Sequence, residues 1–134
     1  MIKVQKSLLK ILSDVLWRKT SEYTYSEQEW EDILSTAEDQ GVLLLALQGC
    51  TSIRQQISAA SWLKWRSKML STMINNEVLM EAQSKIAEAL KNESIPYAVL
   101  KGASLSACYY NPFARALGDI DLLVPVQFVD KSEA

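Results

Sequence analysis

Two aspartates, Asp119 and Asp121, lie two residues apart in an apolar segment near the end of the chain. Because side chains alternate between the two faces of a strand, a strand here would place both carboxylates on one face. Ile120, Leu122 and Val124 would then face the other way, toward a core. Aspartate is depleted in strands, and two converging carboxylates suit Mg²⁺, a hard ion that prefers oxygen ligands. The spacing predicts a metal-binding strand; the alternative is a solvated edge strand with both carboxylates in water.

A second polar group precedes this pair, where a predicted strand turns into a predicted helix. Gly102 lets the backbone approach a ligand closely, and the N–H groups in the first turn of a helix carry partial positive charge. The turn therefore predicts phosphate binding, with Ser104 adding a hydroxyl and with Lys101 and Arg115 adding cations. The alternatives are an ordinary helix start at Ser104 and a surface ion pair for Arg115.

Helical spacing dominates the chain before these residues. The first predicted helix has an apolar stripe that widens toward Trp17, and the second begins with a capping box of Ser26 and Glu29 and ends near Gly41. A short helix over residues 42–48 and one long helix over residues 59–91 follow. The stripe residues of the first two helices are Val4, Leu8, Leu9, Ile11, Leu12, Val15 and Leu16, and then Trp30, Ile33, Leu34 and Ala37.

The hydrophobic period changes near Ile95. Pro96 forces the residue before it into an extended conformation, and we predict a strand over residues 97–100, a helix over 103–110 and a strand over 119–124. The predicted fold is α+β and predominantly α-helical. We expect a helical region over residues 1–94 and a smaller region over 95–134, packed as one unit.

Composition limits the function classes. The chain has 134 residues and no histidine, which excludes zinc sites and a histidine acid or base within it. The net charge of −2 argues against nucleic-acid binding. Trp62 and Trp65 lie among basic residues and could form a patch for nucleic acid or anionic lipid, but their spacing favours core packing.

No apolar run is long enough to cross a bilayer, so no membrane partner is expected and a cytoplasmic location is the default. The two cysteines, Cys50 and Cys108, have no paired spacing and are predicted to be buried thiols of a reducing compartment.

Residues 95–124 resemble the start of the nucleotidyltransferase fold of the polymerase-beta-type superfamily. The motifs are Leu100-Lys-Gly-Ala-Ser-Leu, Tyr110-Asn-Pro and Arg115-x-x-Gly-Asp-Ile-Asp-Leu-Leu-Val. They are similar to a largely uncharacterised group of bacterial nucleotidyltransferase-family proteins, and to nucleotidyltransferase toxins of abortive-infection systems. Two positions depart from the pattern: Ala103 separates Gly102 from Ser104, and Gln40 stands where a histidine is often seen.

The resemblance implies an N-terminal helical bundle followed by the β-α-β start of that fold. Asp119 and Asp121 would hold Mg²⁺ or Mn²⁺ against a nucleoside triphosphate, ATP by default, and Gly102 with Ser104 would bind its phosphates. An acceptor hydroxyl of unknown identity would attack the α-phosphate and release pyrophosphate. The third carboxylate would come from a later strand, so the chain is expected to be an N-terminal portion that is inactive alone.

A second function class is a non-catalytic helical interaction or regulatory module derived from that fold. Two strands make a poor sheet by themselves, and the second would present an unpaired edge. Self-association through this edge or through an exposed helical stripe is therefore also expected.

Overall fold

The computed structural model describes residues 3–50, 52–101, 105, 108, 115 and 117–133. The helices in this part of the chain are α1 (Lys3–Leu16), α2 (Glu27–Asp39), α3 (Leu43–Gly49), α4 (Ile53–Gln56), α5 (Ala59–Asn92) and α6 (Val129–Glu133). Two short strands, β1 (Ala98–Leu100) and β2 (Asp121–Leu123), and a 3-10 turn at Val126–Phe128 lie between α5 and α6. The prediction of an α+β, predominantly helical chain is confirmed.

The chain divides into two compact units, residues 1–72 and 73–134, and the boundary between them lies inside α5. The predicted division at residue 94 instead follows the change of hydrophobic period, and it stays a prediction. The first unit has a core of aromatic and aliphatic side chains. Its buried members are Leu8, Ile11, Tyr23, Trp30, Ile33, Leu34, Ala37, Leu43, Ala46, Cys50, Ile53 and Trp65.

The predicted capping box at the start of α2 is confirmed. The Ser26 hydroxyl accepts a hydrogen bond from the Glu29 N–H at 3.1 Å, and the Glu29 carboxylate accepts one from the Ser26 N–H at 2.9 Å. Such a cap stabilises a helix by about 1 kcal/mol. Because it sets where the helix begins, it also sets which side chains face the core.

Basic residues at the start of α5 contact carboxylates of α2. Glu31 forms an ion pair with Lys64 and accepts a 2.8 Å hydrogen bond from the indole N–H of Trp65. Lys68 forms a second ion pair, 2.5 Å from a carboxylate oxygen of Glu38. These contacts favour the packing interpretation of the segment that contains Trp65.

Three helices end in the same backbone arrangement, with a positive φ at Arg18 after α1, at Gly41 after α2 and at Ser94 after α5. At the end of α5 the Ser94 N–H donates to the Lys91 carbonyl at 3.0 Å, and the Ile95 N–H donates to the Leu90 carbonyl at 2.9 Å. This pair of bonds defines a Schellman motif. Leu90 and Ile95 are both buried, and the motif turns the chain out of α5 toward β1.

In the second unit, β1 and β2 form an antiparallel pair. Ala98 lies opposite Leu123, Val99 opposite Leu122, and Leu100 opposite Asp121. Val99 and Leu122 are half-buried, and the other four residues are exposed, so only one face of the ladder packs. The ladder stops after Leu100 because Lys101 takes a positive φ of 49°.

Several predictions differ from the structure. Helix α4 was not predicted, and both strands are shorter than expected. The stripe on α1 does not widen: Leu9, Leu16 and Trp17 are more than half exposed, so that prediction is wrong. Cys50 is buried but Cys108 is exposed. The predicted helix at 103–110 lies mostly outside the described residues.

Among the described residues, no helix is long and apolar enough to span a bilayer.

Replacing Ser94 with glycine is expected to raise the free energy of unfolding by about 0.5–1 kcal/mol, because glycine removes the steric cost of a positive φ. Gly41→Ala, at the equivalent position after α2, is the opposite control and should lower it. Chemical denaturation measures both changes. A less stable Ser94→Gly protein would contradict the role given to this turn.

Tyr23 predicts a pH dependence of stability. Burial, followed by its hydrogen bond to Asp14, raises the pKa of the Tyr23 phenol to about 12. An unfolded tyrosine titrates near about 10, so this contribution to stability is complete below that pH and is lost as the pH rises toward 12. Tyr23→Phe should flatten the fall in unfolding free energy over this pH range. Tyr97→Phe, which changes a more exposed tyrosine, should leave the pH dependence of the unfolding free energy unchanged. An unchanged profile in Tyr23→Phe would contradict the assignment.

Candidate functional site

The strand register brings two of the predicted site regions together. Leu100 lies opposite Asp121, and Lys101 follows Leu100 directly. Directly opposed residues in an antiparallel pair have Cα atoms about 4.5–5.5 Å apart. The turn that leaves β1 therefore lies at the same end of the ladder as Asp119 and Asp121.

Exposure alternates along the segment that carries the aspartates. Asp119 and Asp121 are exposed, whereas Ile120, Leu122 and Val124 are half-buried. Both carboxylates are thus open to solvent or to a ligand, and the three alternating apolar residues face protein. The alternation agrees with the spacing argument, although β2 itself begins only at Asp121.

Lys101 makes the turn out of β1. Its φ of 49° is uncommon for a residue with a side chain, and strained backbone of this kind concentrates at functional sites. The Lys101 carbonyl accepts a 3.4 Å hydrogen bond from the Leu105 N–H, which closes a tight turn. Gly102 and Ser104, the predicted phosphate-binding residues, lie outside the described residues.

Arg115 is half-buried, and its Nε atom is enclosed. Within the described part of the chain, this Nε has no hydrogen-bond partner and Arg115 forms no ion pair with a carboxylate. A buried N–H donor is normally hydrogen-bonded, and a bound anion would supply the acceptor.

Asn76, a fully buried polar residue of α5, was not predicted as a site residue. Its amide nitrogen donates to the Arg115 carbonyl at 2.7 Å, and its amide oxygen accepts from the Leu117 N–H at 3.0 Å. A signal was present in the sequence, since Asn76 lies at helical spacing between Met73 and Met80 on the apolar stripe. A polar residue on such a stripe needs buried partners.

The donor set fits a magnesium-type ion that is shared with phosphate. No group of three or more histidine, cysteine, aspartate or glutamate side chains converges among the residues described. Mg²⁺ is typically held by one or two carboxylates together with substrate phosphates and water. Two exposed carboxylates, Asp119 and Asp121, meet that requirement.

A family model described as an uncharacterised nucleotidyltransferase matches residues 26–134. The chain belongs to this family. The resemblance carried by the Lys101–Ser104 and Asp119–Asp121 motifs is thereby confirmed at the level of the family. The matched residues include α2 to α6 and both strands, so one match covers the helices and the candidate site residues together. Searches of curated proteins and of solved structures give no match.

Proposed function

We propose that this chain supplies the metal- and phosphate-binding part of an enzyme that transfers a nucleoside monophosphate from a nucleoside triphosphate to an acceptor hydroxyl. One observation carries the proposal: in a nucleotidyltransferase family member, the ladder pairs Leu100 with Asp121, so Lys101 and the aspartate segment lie at the same end of the ladder. The nucleotide taken as the default is ATP.

In this proposal Asp119 and Asp121 hold Mg²⁺ or Mn²⁺. When bound, the ion offsets negative charge on the phosphate oxygens and on the departing group. Two exposed carboxylates would repel a triphosphate, so a cation between them and the phosphates is an electrostatic requirement of the arrangement.

The cationic and turn residues bind the triphosphate. Gly102 and Ser104 contact the β- and γ-phosphates through backbone N–H groups and a hydroxyl, and Lys101 and Arg115 add positive charge. The acceptor oxygen forms a bond to the α-phosphorus while the bond from that phosphorus to the β-bridging oxygen breaks. The acceptor hydroxyl gives its proton to solvent water, and pyrophosphate leaves.

The family resemblance assigns a third carboxylate to a later strand. The residues described here are those that would bind the metal–nucleotide complex. Binding, not turnover, is the measurement that tests the residues described here.

Asp119→Asn and Asp121→Asn should each weaken the binding of Mg²⁺–ATP by about tenfold or more, because an amide replaces a charged ligand. Isothermal titration calorimetry with MgATP measures the affinity, and circular dichroism checks that the variants are folded. Asp130→Asn removes an exposed carboxylate of α6 and should leave the affinity unchanged. Equal affinity in all three variants would refute the metal assignment.

Arg115→Ala should weaken MgATP binding by about five- to tenfold if the guanidinium contacts phosphate, since charge-assisted hydrogen bonds are among the stronger polar contacts. Arg66→Ala, which removes an exposed cation of α5, is the matched control for net charge. The same calorimetric titration applies. If the two variants bind MgATP alike, Arg115 has no phosphate contact.

A non-catalytic interaction module is the second candidate function. It is favoured by exposed apolar side chains around the ladder, where Leu123 is 57% exposed and Val126 is 86% exposed. A folded chain that binds neither Mg²⁺ nor nucleotide but sediments as an oligomer would support the module over the enzyme.

A further inference from the structure

Asn76 stands apart from the other polar side chains described in the structure. It is 0% exposed and is the one polar residue among the buried side chains of the described part. Burying an amide is unfavourable unless its donor and acceptor are both satisfied. The partners of Asn76 therefore indicate what this residue is for.

Both partners belong to the backbone just before the aspartates. The Asn76 amide bridges the carbonyl of Arg115 and the N–H of Leu117, two residues apart, at 2.7 and 3.0 Å. One side chain thus satisfies a donor and an acceptor of this segment, as a neighbouring strand would. Leu117 is itself buried, so water is poorly placed to replace the amide.

Asp119 lies between two fixed points of the backbone. On one side, Asn76 holds Leu117, two residues earlier. On the other side, the ladder holds Asp121 opposite Leu100. Only Gly118 and Ile120 separate Asp119 from these two positions, and Gly118 has open space around it. Without the Asn76 contact, the hydrogen-bond anchor before Asp119 would be reduced to the longer 3.4 Å bond from Asn75 to the Leu117 carbonyl.

We propose that Asn76 is a positioning residue that sets the backbone before Asp119 and so directs both aspartates toward a shared metal ion. The inference rests on the proposed function, because the metal role of the aspartates belongs to that proposal. Asparagine suits the task since a neutral amide offers a donor and an acceptor together, whereas an ionised carboxylate offers acceptors alone and leucine offers neither.

The test is a Mn²⁺ titration of the full chain, followed by paramagnetic broadening of the backbone amide signals of Asp119 to Asp121 in NMR spectra. Asn76→Leu, which keeps the branching of the side chain but is larger and has no hydrogen-bonding group, should weaken Mn²⁺ binding at this site by about tenfold or more, as for other residues that orient metal ligands. Hydrogen exchange at Leu117 and Asp119 should become faster.

Asn75→Leu is the matched control. Asn75 neighbours Asn76 on the same helix, is exposed, and reaches the Leu117 carbonyl only at 3.4 Å. This variant should change Mn²⁺ affinity less than about twofold, as expected for an exposed position. If Asn76→Leu fails to fold, Asn76→Ser replaces the amide with one shorter hydroxyl and should bind Mn²⁺ with an intermediate affinity.

Two results would overturn the inference. One is a folded Asn76→Leu or Asn76→Ser chain whose Mn²⁺ affinity equals that of the unsubstituted chain. The other is unchanged hydrogen exchange at Leu117 and Asp119, which would remove the positioning role even if the unsubstituted chain bound no Mn²⁺. Absence of Mn²⁺ binding by the unsubstituted chain would instead count against the proposed function, so the two failures are distinguishable.

Discussion

The candidate site depends on the three-pair antiparallel ladder between β1 and β2. It is short, and isolated two-stranded ladders are only marginally stable in water. The ladder nevertheless decides which parts of the chain meet, because pairing Leu100 with Asp121 joins the turn at Lys101 to the aspartate segment. The stability of the candidate site therefore depends on the contacts that hold the two strands in place as well as on the hydrogen bonds of the ladder.

Those contacts come from α5 and from the segment after β2. The Schellman motif at Ser94 directs the chain out of α5, and Ile95 is buried just before β1. Asn76 of the same helix holds the backbone that leads into β2. After β2, Lys131 donates a 2.6 Å hydrogen bond to the carbonyl of Glu93, at the end of α5. The segments that flank each strand are thus held by hydrogen bonds or by burial, which helps to keep the two strands paired.

The sequence predicted the elements whose signals are local. A capping box, an unbroken helical stripe and a glycine after α2 each act over a few residues, so α2 and α5 were located to within a residue or two. Helix α4 has only four residues and no periodic signal to detect. The stripe on α1 was overestimated because periodicity shows which residues are apolar but not how much of the helix a neighbour covers.

The site was predicted as two separate motifs, and their proximity was not predictable from local pattern. Whether Lys101 and Asp121 meet depends on strand register, which is set by long-range pairing. The apolar stripe of α5 marked Asn76 as a polar residue in need of partners, but the partners themselves, Arg115 and Leu117, are 39 and 41 residues away in sequence and could not be identified from local pattern. The family match adds a nucleotidyltransferase identity that geometry alone could not give.

Folding and the proposed chemistry require the same register. A slip of one residue in β2 would turn Asp121 toward the face where Val99 and Leu122 are now half-buried. That slip would bury the charge of Asp121, which is unfavourable unless the charge finds a partner. The same slip would separate the two carboxylates from the turn at Lys101. The half-buried pair of Val99 and Leu122 therefore favours the register that a metal–phosphate site needs, without contacting a ligand itself.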